Sequence, residues 1–142
     1  MGKVYEEAKK FVSRYPMTIA WRLKSHAKVI DKHINADEEV LYVFTGQYNG
    51  SFYEFFHTAI FVVTNKRMMI ATARTLFGYF FYSITPDMFN DLTIRSGILW
   101  GNVIVDTIKE VVTISNLDKR ALNEIEDNLT KNILEKKPIK ND

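Results

Sequence analysis

Apolar positions along this chain follow two periods, and the change from one to the other divides it. In residues 4–33 they recur every three or four residues, as on one face of a helix. From residue 39 to 115 they alternate or run together in short bursts, as in strands. From residue 117 the spacing of three to four returns: Leu117, Ala121, Ile125, Leu129 and Ile133 form one stripe. The pattern predicts a helix over residues 4–15, stopped before Pro16, and a second running to His33 with Thr18 as its cap. On the second, Ala20, Leu23, Ala27, Ile30 and Ile34 make the apolar stripe, and Arg22, Lys24, Lys28 and Lys32 lie off it.

Seven strands are predicted. The first spans residues 40–48, with Tyr42, Phe44 and Tyr48 on one face and Leu41 and Val43 on the other, so both faces need cover. Residues 58–64 and 67–73 form a hairpin about Asn65-Lys66. Residues 76–83, 88–95, 99–107 and 109–115 complete the set, with breaks at Pro86-Asp87 and Ser96-Gly97. Asp118 reads as a helix N-cap, with Leu117 and Leu122 as a hydrophobic staple. Seven short strands and one closing helix suit a partly open barrel or sandwich whose end the helix caps.

Size and composition narrow the picture. The 142 residues fit one domain with a real core. Ten Phe, seven Tyr and two Trp suit strands and apolar interfaces alike. With no cysteine, disulfides and thiolate zinc sites are excluded. No apolar run approaches the roughly 18 residues of a spanning helix, and residues 1–7 lack a signal-peptide core, which leads to a cytoplasmic expectation. The net charge of +2 is uneven: residues 1–34 carry eight Lys and Arg against three Asp and Glu, the remainder eleven against fourteen. The basic end suits either the acidic body of the same chain or an anionic surface.

The order of elements and several segments resemble bacterial pleckstrin-homology (PH)-like domains of the YokE-like type. Glu38-Glu-Val-Leu-Tyr-Val-Phe-Thr-Gly46 is similar to their first strand, and Phe61-Val-Val-Thr-Asn-Lys-Arg-Met-Met-Ile70 to their most recognisable hairpin. Ser96-Gly-Ile-Leu-Trp-Gly-Asn-Val-Ile-Val105 resembles their fifth-to-sixth strand turn, and Asp118 to Leu129 their closing helix. The likeness covers about residues 35–135. It implies a seven-stranded β-barrel or orthogonal sandwich with a C-terminal capping helix, here carrying an N-terminal helical extension. The expected organisation is an extension over 1–34, the PH-like domain over 35–136 and a frayed tail over 137–142. The fold serves many binding roles and hands over no activity.

Candidate chemistry is sparse. Inositide headgroup binding in PH domains needs cations on the first two strands and their loop; residues 40–63 contain no Lys or Arg, which argues against a specific phosphoinositide. That loop instead carries Phe52, Tyr53, Phe55 and Phe56, interrupted by Glu54. The resemblance implies that the first-to-second, third-to-fourth and sixth-to-seventh connections share a rim, which would bring Arg74, Leu76 and Lys109 beside those rings. Such an edge suits a partner's groove or a lipid interface, or the rings fold back over the barrel mouth. The aromatics Phe77, Tyr79, Phe80, Phe81 and Tyr82 read as cross-strand core. His26 and His33, on the order of 10 Å apart on a helix, do not suit one metal ion, and His57 is remote. No metal-ligand pair, phosphate-cradling glycine loop or nucleophile elbow occurs. Glu124, Glu126 and Asp127 are expected on the solvent side of the last helix. The expectation is a non-catalytic module with no cofactor, which contacts a protein or a second copy of itself. The alternative is a peripheral membrane adaptor using the aromatic loop and the basic face Arg22, Lys24, Lys28 and Lys32. Nucleic acid is disfavoured by the acid-biased strand region.

Overall fold

The computed structural model describes residues 2–49, 57–74 and 78–136, without the side chains of Asn49 and His57. Two helices, α1 (Lys3–Arg14) and α2 (Leu23–His33), precede strands β1 (Val40–Asn49), β2 (His57–Thr64), β3 (Met68–Ala73), β4 (Tyr79–Ile84), β5 (Phe89–Ser96), β6 (Trp100–Thr107) and β7 (Val111–Asp118). A 3-10 turn at Lys119–Ala121 leads into α3 (Leu122–Asn132).

The strands form one antiparallel sheet in the order β4-β3-β2-β1-β7-β6-β5. The β1–β7 pairing joins the β1–β4 half to the β5–β7 half. Chain length forces this sheet to curl. Six inter-strand spacings would hold the two edge strands about 29 Å apart in a flat sheet, whereas the five steps from Ile84 to Phe89 span at most about 18 Å. Among the described residues the two edges come together at that corner without pairing, so the sheet is a half-barrel with an open seam between β4 and β5.

Alternation along the strands sorts side chains into two cores. Inside the curl, Phe44, Tyr48, Phe61, Val63, Met68, Ile70, Val103, Val105 and Ile114 pack against Leu122, Ile125, Leu129 and Ile133 of the closing helical segment. The stripe expected from residue 117 onward is fully buried. On the outer face, Val43, Ile60, Val62, Met69 and Ala71 are covered by Val4 and Ala8 of α1 and Ala27, Val29 and Ile30 of α2. Both faces of β1–β3 are therefore dry, and the N-terminal helices provide the second layer. Phe11 of α1 reaches the inner core beside Tyr15, Tyr42 and Phe44.

Three local readings need correction. Thr18 does not cap α2, which begins at Leu23. It is buried, and its hydroxyl accepts the Asp118 N–H at 2.9 Å, because residues 15–22 run as a strap along the sheet. The strap is held further by Ile19 N–H on the Asn116 carbonyl and by Gln47 Nε2 on the Ile19 carbonyl. The seventh strand does not stop at Ser115 but continues to Asp118 across a bulge. Asn116 takes a positive φ of 58° there, a conformation that asparagine tolerates. In β1, Leu41 is likewise an extra residue at a register shift and stays exposed.

Because Phe11 is fully buried and shared by helix and barrel, Phe11→Ala is expected to cost about 3–5 kcal/mol. Chemical denaturation followed by tryptophan fluorescence measures it, with helix and sheet unfolding in one transition.

Candidate functional site

The Thr-Asn-Lys-Arg hairpin is the most specific motif in the chain, and each of its residues is occupied structurally. The Thr64 hydroxyl accepts the N–H groups of Lys66 (3.1 Å) and Arg67 (3.2 Å) and donates to Glu38 Oε2 at 2.7 Å. Asn65 Oδ1 accepts the Glu39 N–H at 2.8 Å. Lys66 pairs with Asp37. Arg67 forks onto Glu38, Nε to Oε2 at 3.1 Å and Nη2 to Oε1 at 2.8 Å, and Nη2 also donates to the His33 carbonyl. The motif rivets the β2–β3 turn to the end of α2 and the acidic turn before β1. Burial pushes the Glu38 carboxyl up, but hydrogen bonds from Arg67, Thr64 and Asn35 outweigh it and hold the group at about 2.

A second hub was missed by sequence reasoning. Glu124 is half-buried rather than solvent-facing. Its carboxylate accepts Tyr42 Oη at 2.6 Å, Arg14 Nη2 at 2.9 Å and Tyr15 Oη at 3.0 Å. Burial opposes its ionisation, yet these three donors keep it below the usual carboxylate range. Burial and the same carboxylate raise the Tyr42 phenol. The only sequence signal was an acid one position before Ile125 on the stripe; its partners come from α1 and β1. Glu126 and Asp127 are exposed as expected.

The candidate contact residues are placed as follows. Phe52, Tyr53, Phe55, Phe56 and Leu76 lie outside the described residues. Arg74, directly after β3, and Lys109, between β6 and β7, are exposed. Tyr48, near the end of β1, stacks on Phe80 of β4 with centroids 5.3 Å apart, and its hydroxyl meets Glu110 Oε1 at 3.4 Å. These contacts bring the end of β1, β4 and the β6–β7 turn to one mouth. Of the basic face, Lys24, Lys28 and Lys32 are exposed on α2. Arg22 precedes the helix with a φ of 57° and donates to the Ala73 carbonyl at 2.9 Å. The α2 stripe is consumed by the sheet, so the helix offers cations but no apolar face.

The histidines of α2 are also committed to the fold. His33 stacks on Phe81 at 3.9 Å and its Nδ1–H donates to the Val29 carbonyl. His26 is buried, and its Nδ1 accepts the Ala73 N–H at 2.8 Å, which places the ring proton on Nε2. Burial first, then the nearby Arg22 charge, lower its pKa to about 4.

The least expected surface is the β5–β6 turn. Ile98, Leu99 and Trp100 are exposed at 88%, 49% and 37%. The sixth strand, expected from Leu99, begins at Trp100, and Ile98 and Leu99 form the turn before it. A glycine on either side, Gly97 and Gly101, was the available sign of a tight tip.

Two outcomes follow. Arg67→Ala leaves the buried Glu38 carboxylate without its cation, so a loss of about 3 kcal/mol is expected in urea unfolding, with Arg67→Lys recovering only part. His26 is neutral when folded and titrates near 6.5 when unfolded, so its contribution is complete above pH 6.5 and is lost as pH falls toward 4. A stability drop of about 2 kcal/mol between pH 7 and 4.5 is expected, and His26→Asn should flatten it.

Comparison with known sequences agrees with this architecture. No curated protein matches the chain. The family model described as bacterial PH domain matches residues 34–131, which takes in every strand and nearly all of α3. With that match over more than half its length and the half-barrel closed by a C-terminal helix, the chain belongs to the bacterial PH domain family.

Proposed function

We propose that this domain is a non-catalytic binding module of the YokE-like type that acts in the cytoplasm by taking hold of another protein chain, a second copy included, at the open seam between β4 and β5. The observation that carries this reading is that the sheet curls without closing. Both β4 and β5 are edge strands. Phe80 and Tyr82 of one and Leu92 and Ile94 of the other pack on the inner core while remaining partly exposed. An edge that presents free backbone groups above half-buried apolar side chains suits an added strand: the ladder gives affinity and the side-chain sites give selectivity. The hydrogen-bond alternation in the β5–β6 hairpin, set by Gly97 N–H on the Trp100 carbonyl, turns the backbone of Ile94 and Ser96 away from β6.

A second reading, a peripheral membrane adaptor, is favoured by the solvent-facing Lys24, Lys28 and Lys32. Because the apolar stripe of α2 is buried, that face would act through charge and need a separate apolar anchor. The first-to-second strand aromatics, with Arg74, Leu76 and Lys109, remain the proposed anchor in that case.

Amide hydrogen exchange by NMR tests the seam. As concentration rises, or on adding peptides from a randomised strand-forming library, the Ile94 and Ser96 amides are expected to gain protection of at least about tenfold, while Thr93 and Arg95, already bonded to β6, stay unchanged. An assembly or peptide complex that forms with Ile94 and Ser96 exchanging as fast as in the free monomer removes the seam as its contact.

A further inference from the structure

We infer that the β5–β6 hairpin tip, Ile98-Leu99-Trp100, is a membrane-interface anchor for anionic lipid surfaces. The inference stands apart from the seam, and it locates the apolar anchor elsewhere than the first-to-second strand loop. Hairpin loops of two residues ordinarily carry Asn, Asp or Gly, for backbone and solvation reasons alike. Here the turn is built to be tight, and its two tip residues are Ile98 and Leu99. Gly97 N–H bonds to the Trp100 carbonyl at 2.8 Å, and a Cβ on Gly97 would lie 2.8 Å from that same oxygen. A Cβ on Gly101 would stand 2.4 Å from Leu122 Cδ1, so the base of the hairpin sits hard against the start of α3. The Leu99 carbonyl accepts the Lys119 N–H at 3.3 Å. The tip therefore cannot fold back to hide its side chains, which is why Ile98 remains 88% exposed.

Trp100 sits at the foot of the tip, with its indole N–H donated to the Met17 carbonyl at 2.7 Å and its ring edge beside the exposed Met17. This is the arrangement of an interfacial tryptophan: polar end satisfied, ring at the boundary, aliphatic residues beyond it. The flanking charge is cationic. Arg95, two residues before the tip glycine, and Lys119 are exposed, and neither makes an ion pair among the described residues. Arg120 is paired with Asp118. Three cations against one carboxylate around a convex apolar point complement an anionic lipid surface, which attracts basic residues near its headgroups.

Co-sedimentation with phosphatidylcholine vesicles, with and without phosphatidylserine, tests the anchor on the full chain. The wild type is expected to partition onto phosphatidylserine-containing vesicles, to lose at least about tenfold in partition in Ile98→Ser/Leu99→Ser, and to lose severalfold in Arg95→Gln/Lys119→Gln. Both pairs are exposed, and circular dichroism verifies that each variant stays folded. Tryptophan emission should shift to the blue on binding. Phe55→Ser/Phe56→Ser separates this tip from the other loop. Failure of the wild type to sediment overturns the proposal, as does equal binding by the Ile98→Ser/Leu99→Ser variant, or loss of binding only in Phe55→Ser/Phe56→Ser. A wild-type dimer that the tip variant dissociates, with no lipid binding, also overturns it and reassigns the tip to self-contact.

Discussion

The constraint on which this structure rests is that β1–β3 are apolar on both faces. An inward face of Phe44, Phe61, Met68 and Ile70 demands α3, and an outward face of Val43, Ile60, Val62, Met69 and Ala71 demands a second cover. Leaving that outer face wet would expose several large side chains, each worth about 1.5–3 kcal/mol of burial. The amphipathic pair α1 and α2 meets the demand. Once α2 turns its stripe inward, its lysines must face water, so the basic face is a by-product of packing before it is anything else.

The remaining polar groups are organised around joining the outer layer to the barrel. Arg67, Glu38 and Thr64 fasten the end of α2 to the β2–β3 turn. Asp118 fastens the strap: it accepts the Met17 and Arg120 N–H groups, and the Arg120 guanidinium holds it at about 2. Glu124 ties α1 and β1 to α3. Burial explains why these clusters are made of charged groups with several donors each: a carboxylate removed from water is tolerated when its lone pairs are filled. Among the described residues, the seam leaves the edges of β4 and β5 outside the ladder, and the β5–β6 tip leaves aliphatic side chains unburied.

Much of this was legible in the sequence, for a physical reason. Strand and helix periods are local, so the alternation Tyr42-Phe44-Tyr48 and the stripe Leu117-Ala121-Ile125-Leu129-Ile133 reveal their own buried faces. What stayed hidden depends on partners distant in the chain. Glu124 looks solvent-facing until Tyr42, Tyr15 and Arg14 arrive from elsewhere. Thr18 looks like a cap until Asp118 uses its hydroxyl. Asn116 lies beyond the expected end of the seventh strand at Ser115, although β7 passes through it on a bulge. Leu99 reads as the start of a strand, and neither it nor Ile98 announces its exposure, because only the tertiary position of the turn separates an exposed apolar residue from a buried one. The candidate loop contacts were argued from the aromatic composition of one loop and from a rim that the resemblance implies, and Phe52, Tyr53, Phe55, Phe56 and Leu76 lie outside the described residues.

The Glu124 hub also orders events in time. Its three donors lie 110, 109 and 82 residues from it along the chain, while α1, α2 and β1–β3 are close in sequence and can pair with one another while translation proceeds. The inner core, however, lacks one wall until Leu122, Ile125, Leu129 and Ile133 have left the ribosome. Contacts of such span close late and slowly, so the nascent chain carries a sheet dry on its outer side and bare on its inner side until Ile133 has been made. α3 thereby acts as the latch of the inner core, and a chain stalled short of it is a natural client for chaperones.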